Sequence, residues 1–295
     1  MILQNEKQKK YTKARVRAKK YNLFLSMLFL ISLCVFLYSS YRIVMYLVED
    51  NEQKSLNERL IEEAVKKIPI TQSDDQSVVS TSHLHLETNS SPVSVTTTKK
   101  KKVILDKPDI SVNFDAINHK YQGLVGWLYG QDEIIHNPVM QWQDNDFFLT
   151  RLPNGATNTA GSLFMDYRDP ADLSGWNHII YGHNMQNGSM FGFLHDYRRS
   201  GFFEENPYLF YFTQGSTYRL ELFAGIHTKN DSFVYTHPKT DEDKLLYLNK
   251  AKKLSVFTSA VNVSPHDRIL VLSTCSGAID APDRFVVLAK LVAIS

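Results

Sequence analysis

The sequence predicts a mainly β domain, a sandwich or a closed barrel, carried behind one membrane-spanning helix. Three observations predict it. Short apolar or aromatic runs recur after residue 105 with few helical patterns between them, which argues against a doubly wound sheet. Leu23 to Tyr41 carries no charge and approaches the ~20 apolar residues that cross a hydrocarbon core as a helix. No Gly-rich phosphate loop, CxxC pair or HExxH occurs in the sequence, so nucleotide and zinc chemistry lose support.

The N-terminus justifies the anchor. Eight of the 33 basic residues and one of the 31 acidic residues fall within the first twenty positions. A signal peptide shares such a start, but its apolar region is shorter and no small-residue cleavage pattern follows here. The positive-inside rule then makes residues 1–22 a basic cytoplasmic tail, 23–41 the anchor, and everything after Arg42 extracellular. Beside a span, the basic run reads as a topology signal and not as a nucleic-acid contact. The remaining chain holds 25 basic against 30 acidic residues, which leaves no basic field for a polyanion.

Residues 42–104 read as an extracellular helix followed by a flexible linker. Within Glu49 to Lys67, the residues Leu56, Leu60, Ile61, Ala64, Val65 and Ile68 share one helical face, and Pro69 ends the pattern. That stripe suits a partner, a second copy, or the domain that follows, and a solvated stalk fits equally. Thr71 to Thr98 is dominated by polar residues, as spacers are. The isolated pair His83 and His85 within it is weak as a metal signal.

Residues 105–295 are long enough to bury one sizeable core. Ile110 to Tyr121 reads as a short amphipathic helix. Strands are expected over Leu124–Tyr129, Phe147–Thr150, Ser162–Asp166, His178–Tyr181, Tyr208–Thr213, Thr217–Ala224, Ile269–Thr274 and Phe285–Ile294. Gln214-Gly215 marks a hairpin turn. Met190–Arg199 and Asp241–Val256 look helical.

The chemistry centres on Cys275. Ile269 to Leu272 is a four-residue apolar run that delivers it to a strand end, and Arg284 opens the next run one hairpin loop away. The other cysteine, Cys34, lies inside the apolar span, so Cys275 reads as a free thiol beside a guanidinium. A buried core cysteine is the commoner fate of a lone Cys. Ser273, Thr274, Ser276 and Gly277 surround this one with polarity and favour a nucleophile. Among the histidines, His183 follows the run Ile179-Ile180-Tyr181-Gly182 and should project at a strand end. His178 begins that run and is its competitor. His119, His136, His195, His227, His237 and His266 lie in polar or loop-like surroundings and read as surface residues.

Together, Thr274-Cys275 after an apolar strand, Arg284 nine residues on, and Tyr181-Gly182-His183-Asn184-Met185 resemble the sortases, cysteine transpeptidases of Gram-positive bacteria. Val125-Gly126-Trp127-Leu128, Asn137-Pro138-Val139-Met140-Gln141, Asp144-Asn145 leading to Leu149, Gly161 to Arg168, and Asn187 to Gly192 are similar to class B members. The resemblance covers roughly Ile110 to Ser295. Directly after the cysteine the chain has Ser276-Gly277 where some relatives carry an acidic residue.

The resemblance implies a closed eight-stranded β-barrel with N-terminal helices and a helix in the long connection before the cysteine strand. It implies catalytic roles for Cys275, His183 and Arg284, and substrate contacts at Asn145, Leu149, Ser273 and Thr274, with no metal and no cofactor. Its implied partners are secreted proteins bearing a C-terminal sorting signal, the amine of a peptidoglycan precursor, and the membrane through the N-terminal helix. A pilin-polymerising sortase, an inactive sortase-fold binding module and a thiol protease are the alternatives. The residues also suit the chemistry: a thiolate attacks, an imidazole moves protons, and a guanidinium, which never deprotonates, can only donate.

Overall fold

The structure, a computed structural model, describes residues 2–68, 104–185, 187–275 and 282–294. For Cys275 it describes the backbone and not the side chain. Pro69, the spacer with His83 and His85, and Ser276-Gly277 lie outside the described residues. The chain divides into two compact units, Met1–Lys54 and Ser55–Ser295.

Helix α1 (Ile2–Ala64) contains the charge-free run, a stretch long and apolar enough to cross a membrane. In the first unit, Leu23 to Val48 leave most of their large apolar side chains exposed, which is costly in water and neutral in lipid. Its last turns belong to the second unit. There Leu56, Leu60 and Ala64 are buried with Ile110, Phe114, Ile117, Trp127, Phe210 and Phe212. The apolar stripe therefore packs on the following domain. Burying a side chain such as Leu60 stabilises by about 1.5–3 kcal/mol.

The predicted helix over Glu49–Lys67 stops early, and the reason lies at Ile110. Strand β1 (Val65–Lys67) pairs antiparallel with β2 (Ile110–Val112), with Val65 opposite Val112 and Lys67 opposite Ile110. The predicted helix over Ile110–Tyr121 is thus a strand followed by a 3-10 turn, Phe114–Ala116. Ile110, Phe114 and Ile117 are all buried at helix-like spacing, so a strand and a turn reproduce the apolar period of a helix.

The eight remaining strands are β3 (Leu124–Gly130), β4 (Ile135–Met140), β5 (Leu163–Met165), β6 (Asn177–Gly182), β7 (Tyr208–Phe212), β8 (Thr217–Lys229), β9 (Ile269–Cys275) and β10 (Asp283–Ala293). They close into a barrel in the order β10-β8-β7-β3-β4-β5-β6-β9. The β4–β5 and β6–β9 pairs are parallel and the other pairs antiparallel. The short helix α2 (Phe202–Glu205) precedes β7. Gln214-Gly215 does close a hairpin, with the Thr213 amide donating to the Ser216 carbonyl at 2.9 Å.

Strand β4 escaped the sequence reading because Pro138 and the polar pair His136-Asn137 interrupt its pattern. Its pairing with β5 begins at Val139, so the proline precedes that ladder. His136 is buried, not exposed, with its ring 5.6 Å from Trp127 and 5.0 Å from Tyr129. Burial holds its pKa down at about 4. Phe147–Thr150 is a 3-10 turn and not a strand, because the Asp144 carboxylate accepts from the amides of Asp146 and Phe147 at 2.9 and 2.8 Å.

Two apolar layers position the functional end. Leu270, Leu272, Phe285 and Val287 fill the barrel with Ile180, Leu222 and Tyr211. Ile269, Val271, Val286 and Leu288 face outward and pack with helix α3 (Asp241–Leu254) through Tyr247, Leu248 and Ala251. Strand β9 is consequently buried on both faces, which is why it reads as a continuous apolar run. Helix α3 occupies the long connection before the cysteine strand. Thr240 caps it by accepting from the Asp243 amide at 3.1 Å, acids fill its first turn, and Lys252 and Lys253 sit in its last.

Candidate active site

Parallel pairing of β6 with β9 brings two strand ends together. Gly182 lies opposite Thr274 in register, so His183 and Cys275 follow at one end of the barrel. Antiparallel pairing of β9 with β10 puts Arg284 opposite Cys275. Gly182 is required here by close approach: a Cβ would lie 2.5 Å from Leu163 and 2.8 Å from the Phe191 ring.

A cleft of about 380 Å³ opens at this end, lined by Asn145, Leu149, Phe164, Arg168, Tyr181, Gly182, His183, Asn230, Tyr235, Ser273, Thr274 and Arg284. Six residues singled out from sequence, His183, Arg284, Asn145, Leu149, Ser273 and Thr274, thus meet in one place. The seventh, Cys275, ends the strand that carries Ser273 and Thr274. Among the described residues, no three His, Cys, Asp or Glu side chains gather as a metal site would require.

His183 is half-buried and its Nε2–H donates to the Leu149 carbonyl at 2.8 Å. A carbonyl only accepts, so the neutral ring carries its hydrogen on Nε2 and accepts protons at Nδ1. Leu149 sits in the 3-10 turn that Asp144 caps. Gly161 closes against this turn, with φ +59° and its missing Cβ leaving room that would otherwise lie 2.5 Å from the Leu149 oxygen. His178, the competitor, is fully buried inside β6 and does not line the cleft. Burial holds its pKa down at about 4, so it stays neutral.

Another part of the same lining is built on charge. Asp166, fully buried just after β5, accepts from Arg168 Nε at 2.8 Å and Nη2 at 2.7 Å, from the Tyr181 hydroxyl at 3.0 Å and from Asn145 Nδ2 at 3.1 Å. Burial alone would raise this carboxyl's pKa, but the bonds from Arg168 and Tyr181 outweigh it and hold it at about 2. Tyr181 is raised, first by burial and then by the Asp166 charge. Its ring stacks on Tyr235 at 6.2 Å, and the Tyr235 hydroxyl lies 2.8 Å from Ser273 Oγ.

Sequence reasoning assigned no site role to Tyr235, Asn230, Arg168 or Tyr181. Tyr235 sits in a 3-10 turn between β8 and α3, where no periodicity marks it. Tyr181 and Arg168 stood inside family-like stretches without being singled out.

A barrel of this topology, with its cleft at the ends of β6 and β9, matches known proteins. The profile of the Sortase domain family matches residues 135–292. Sortase B of Listeria monocytogenes is 41% identical over 172 residues, covering 57% of this chain and 70% of that protein. Sortase B of Staphylococcus aureus is 31% identical over 184 residues, covering 62% and 75%. The solved Staphylococcus aureus sortase B–substrate complex superposes with a TM-score of 0.59 at 30% identity, covering 62% of this chain and 85% of that one. Fold, profile and relatives agree, and this chain belongs to the sortases, cysteine transpeptidases, within their class B.

Proposed function

We propose that this sortase is anchored by residues 23–41, with residues 1–22 in the cytoplasm and the domain at 105–295 outside, and that it joins secreted proteins to the cell wall. Cys275 attacks the threonine carbonyl of a C-terminal sorting signal as the thiolate. The C–S bond forms, the peptide C–N bond breaks, and the departing amine takes a proton from His183. An amine of the peptidoglycan precursor then attacks the thioester and gives its proton to His183 through Nδ1. The C–S bond breaks and the thiolate is restored. Arg284 keeps its charge and donates to the developing oxyanion or to a substrate carbonyl. Asn145, Leu149, Ser273 and Thr274 contact the signal.

The observation that carries this reading is the cleft itself. His183, Arg284, Ser273 and Thr274 line it at the strand end where Cys275 stands opposite Arg284. Its volume and its apolar rings, Phe164, Tyr181 and Tyr235, suit a peptide segment. The resemblance points to an asparagine-proline or related proline-containing pentapeptide, with the acyl-donating Thr within it.

The full-length chain in detergent, incubated with a panel of such peptides and triglycine, tests this by mass spectrometry. An adduct on Cys275 that resolves to a triglycine amide, absent in Cys275→Ala, is the expected result. Hydrolysis that ignores triglycine would make the chain a thiol protease. No adduct from any peptide on an intact, alkylatable thiol would leave it a binding module.

A further inference from the structure

Asp166 does not line the cleft, yet three residues that do, Asn145, Arg168 and Tyr181, converge on its carboxylate. The Arg168 main-chain amide adds a further bond at 3.0 Å. Asn145 is fixed at both ends of its amide: Nδ2 donates to Asp166 and Oδ1 accepts from the Tyr167 amide at 3.0 Å. The loop is itself held down, since Gln141 Nε2 donates to the carbonyls of Asp166 and Asp169 at 2.9 and 2.7 Å.

Fold stability alone is a poor reason for this arrangement. Burying the Asp166 carboxylate against a half-exposed Arg168 costs about what their attraction returns, and an apolar replacement of such a buried charge is often as stable. What the carboxylate does provide is direction. One amide hydrogen of Asn145 and the Nη1 hydrogens of Arg168 are additional to the bonds named above. Their orientation follows from the bonds already made. They suit the carbonyls of an extended peptide.

We propose that Asp166 is a positioning residue of this enzyme: from beneath the cleft it aligns Asn145, Arg168 and Tyr181 into the wall against which the sorting-signal peptide lies. The inference rests on the transpeptidase reading above and deepens it. Tyr181 passes the alignment on, through its stack with Tyr235, to Ser273 two residues before Cys275. Asp166 itself does not line the cleft. Its loss should therefore weaken peptide capture and leave the thiol's chemistry alone.

The test compares wild type with Asp166→Asn as full-length chains in detergent, using the same pentapeptide panel and triglycine. The expected result is a peptide KM raised about tenfold or more, the effect of losing one or two charge-assisted bonds. The kcat, the KM for triglycine and the rate of Cys275 alkylation by iodoacetamide stay within about twofold. An unchanged peptide KM in the folded variant overturns the proposal, as does a parallel loss of kcat and alkylation. If Asp166→Asn does not fold, Tyr181→Phe removes one donor, leaves the Arg168 pair intact and carries the same expectation.

A peptide-free measurement separates this inference from the reading it rests on. Exchange of the Asn145 side-chain amide with water, followed by NMR, should quicken about tenfold in the variant. If exchange is unchanged, positioning fails whatever the enzyme's activity. If exchange quickens but wild type acylates with no peptide, the transpeptidase reading fails and the positioning of Asn145 stands.

Discussion

Two parts of the cleft lining are held in different ways. On one side Asp166, fully buried, accepts from three cleft-lining side chains and leaves their positions little freedom. On the other, the half-buried His183 is steered through a backbone carbonyl that no side-chain substitution can remove. The first wall is suited to recognition, where preorganisation lowers the cost of ordering a peptide. The second is suited to the proton transfer proposed above, in which His183 would exchange protons with two successive amines. Substitutions on the two walls should accordingly separate into KM and kcat effects.

The largest effects belong to the reacting side. His183→Ala should lower kcat about 10²–10⁴-fold, the usual contribution of general acid–base catalysis, with little change in peptide KM. Arg284→Lys keeps the charge and loses the planar fork, and a drop of about 10²-fold is expected, as for an oxyanion donor. Steady-state transpeptidation checks both. A His183 variant that changes KM alone would erase the distinction between the walls.

A backbone substitution can reach His183 indirectly. Gly161→Ala places a Cβ 2.5 Å from the Leu149 oxygen and 2.7 Å from that of Phe148, at a φ of +59° that favours glycine. We expect destabilisation of about 1–2 kcal/mol and a roughly tenfold loss in kcat as the Leu149 carbonyl turns away. Thermal unfolding and kinetics measured together would check it. Lost stability with unchanged kcat would show that the carbonyl does not orient the imidazole.

Tyr235→Phe is milder because it deletes one hydroxyl and keeps the stacked ring. The bond to Ser273 Oγ at 2.8 Å is worth about 0.5–1.5 kcal/mol, so peptide KM should rise about two- to tenfold. A change confined to kcat would place Ser273 with the reacting groups.

Legibility in the sequence followed the same division. The end of β9 was readable because Ile269 to Leu272 is buried on both faces and polarity begins abruptly at Ser273. His183 was readable because a glycine ends an apolar strand before it. The closed barrel itself came from the family resemblance, since the strand pattern alone left a sandwich open. The recognition wall was harder, because Asp166, Asn145 and Tyr181 are brought together by strand pairing across more than thirty positions, which no local period records. Buried polar networks and β4, broken by Pro138, are the elements for which periodicity has no template.

The smallest effect should come from a second carboxylate behind the recognition wall. Asp169 Oδ2 accepts from the Ile179 amide at 2.7 Å, and Oδ1 accepts from His237 Nε2 at 2.6 Å, tying β6 to the segment that carries Tyr235. The hydrogen bond to Asp169 raises the His237 pKa above its ordinary 6.5 against its partial burial, with Asp166 adding to the rise and Arg168 opposing it. A raised folded-state pKa means the charged pair stabilises fully below about pH 6.5 and fades as pH climbs through the folded value. The pair is partly solvated, so its worth is under about 1 kcal/mol. Asn177 Nδ2 also holds the segment by donating to the Val234 and Thr236 carbonyls, and that tether does not titrate. Urea midpoints of wild type and His237→Gln should therefore differ most near about pH 5.5 and converge near about pH 8.5. A gap that widens with rising pH would mean that neutral His237 does the holding, and that this part of the wall is set by shape rather than by charge.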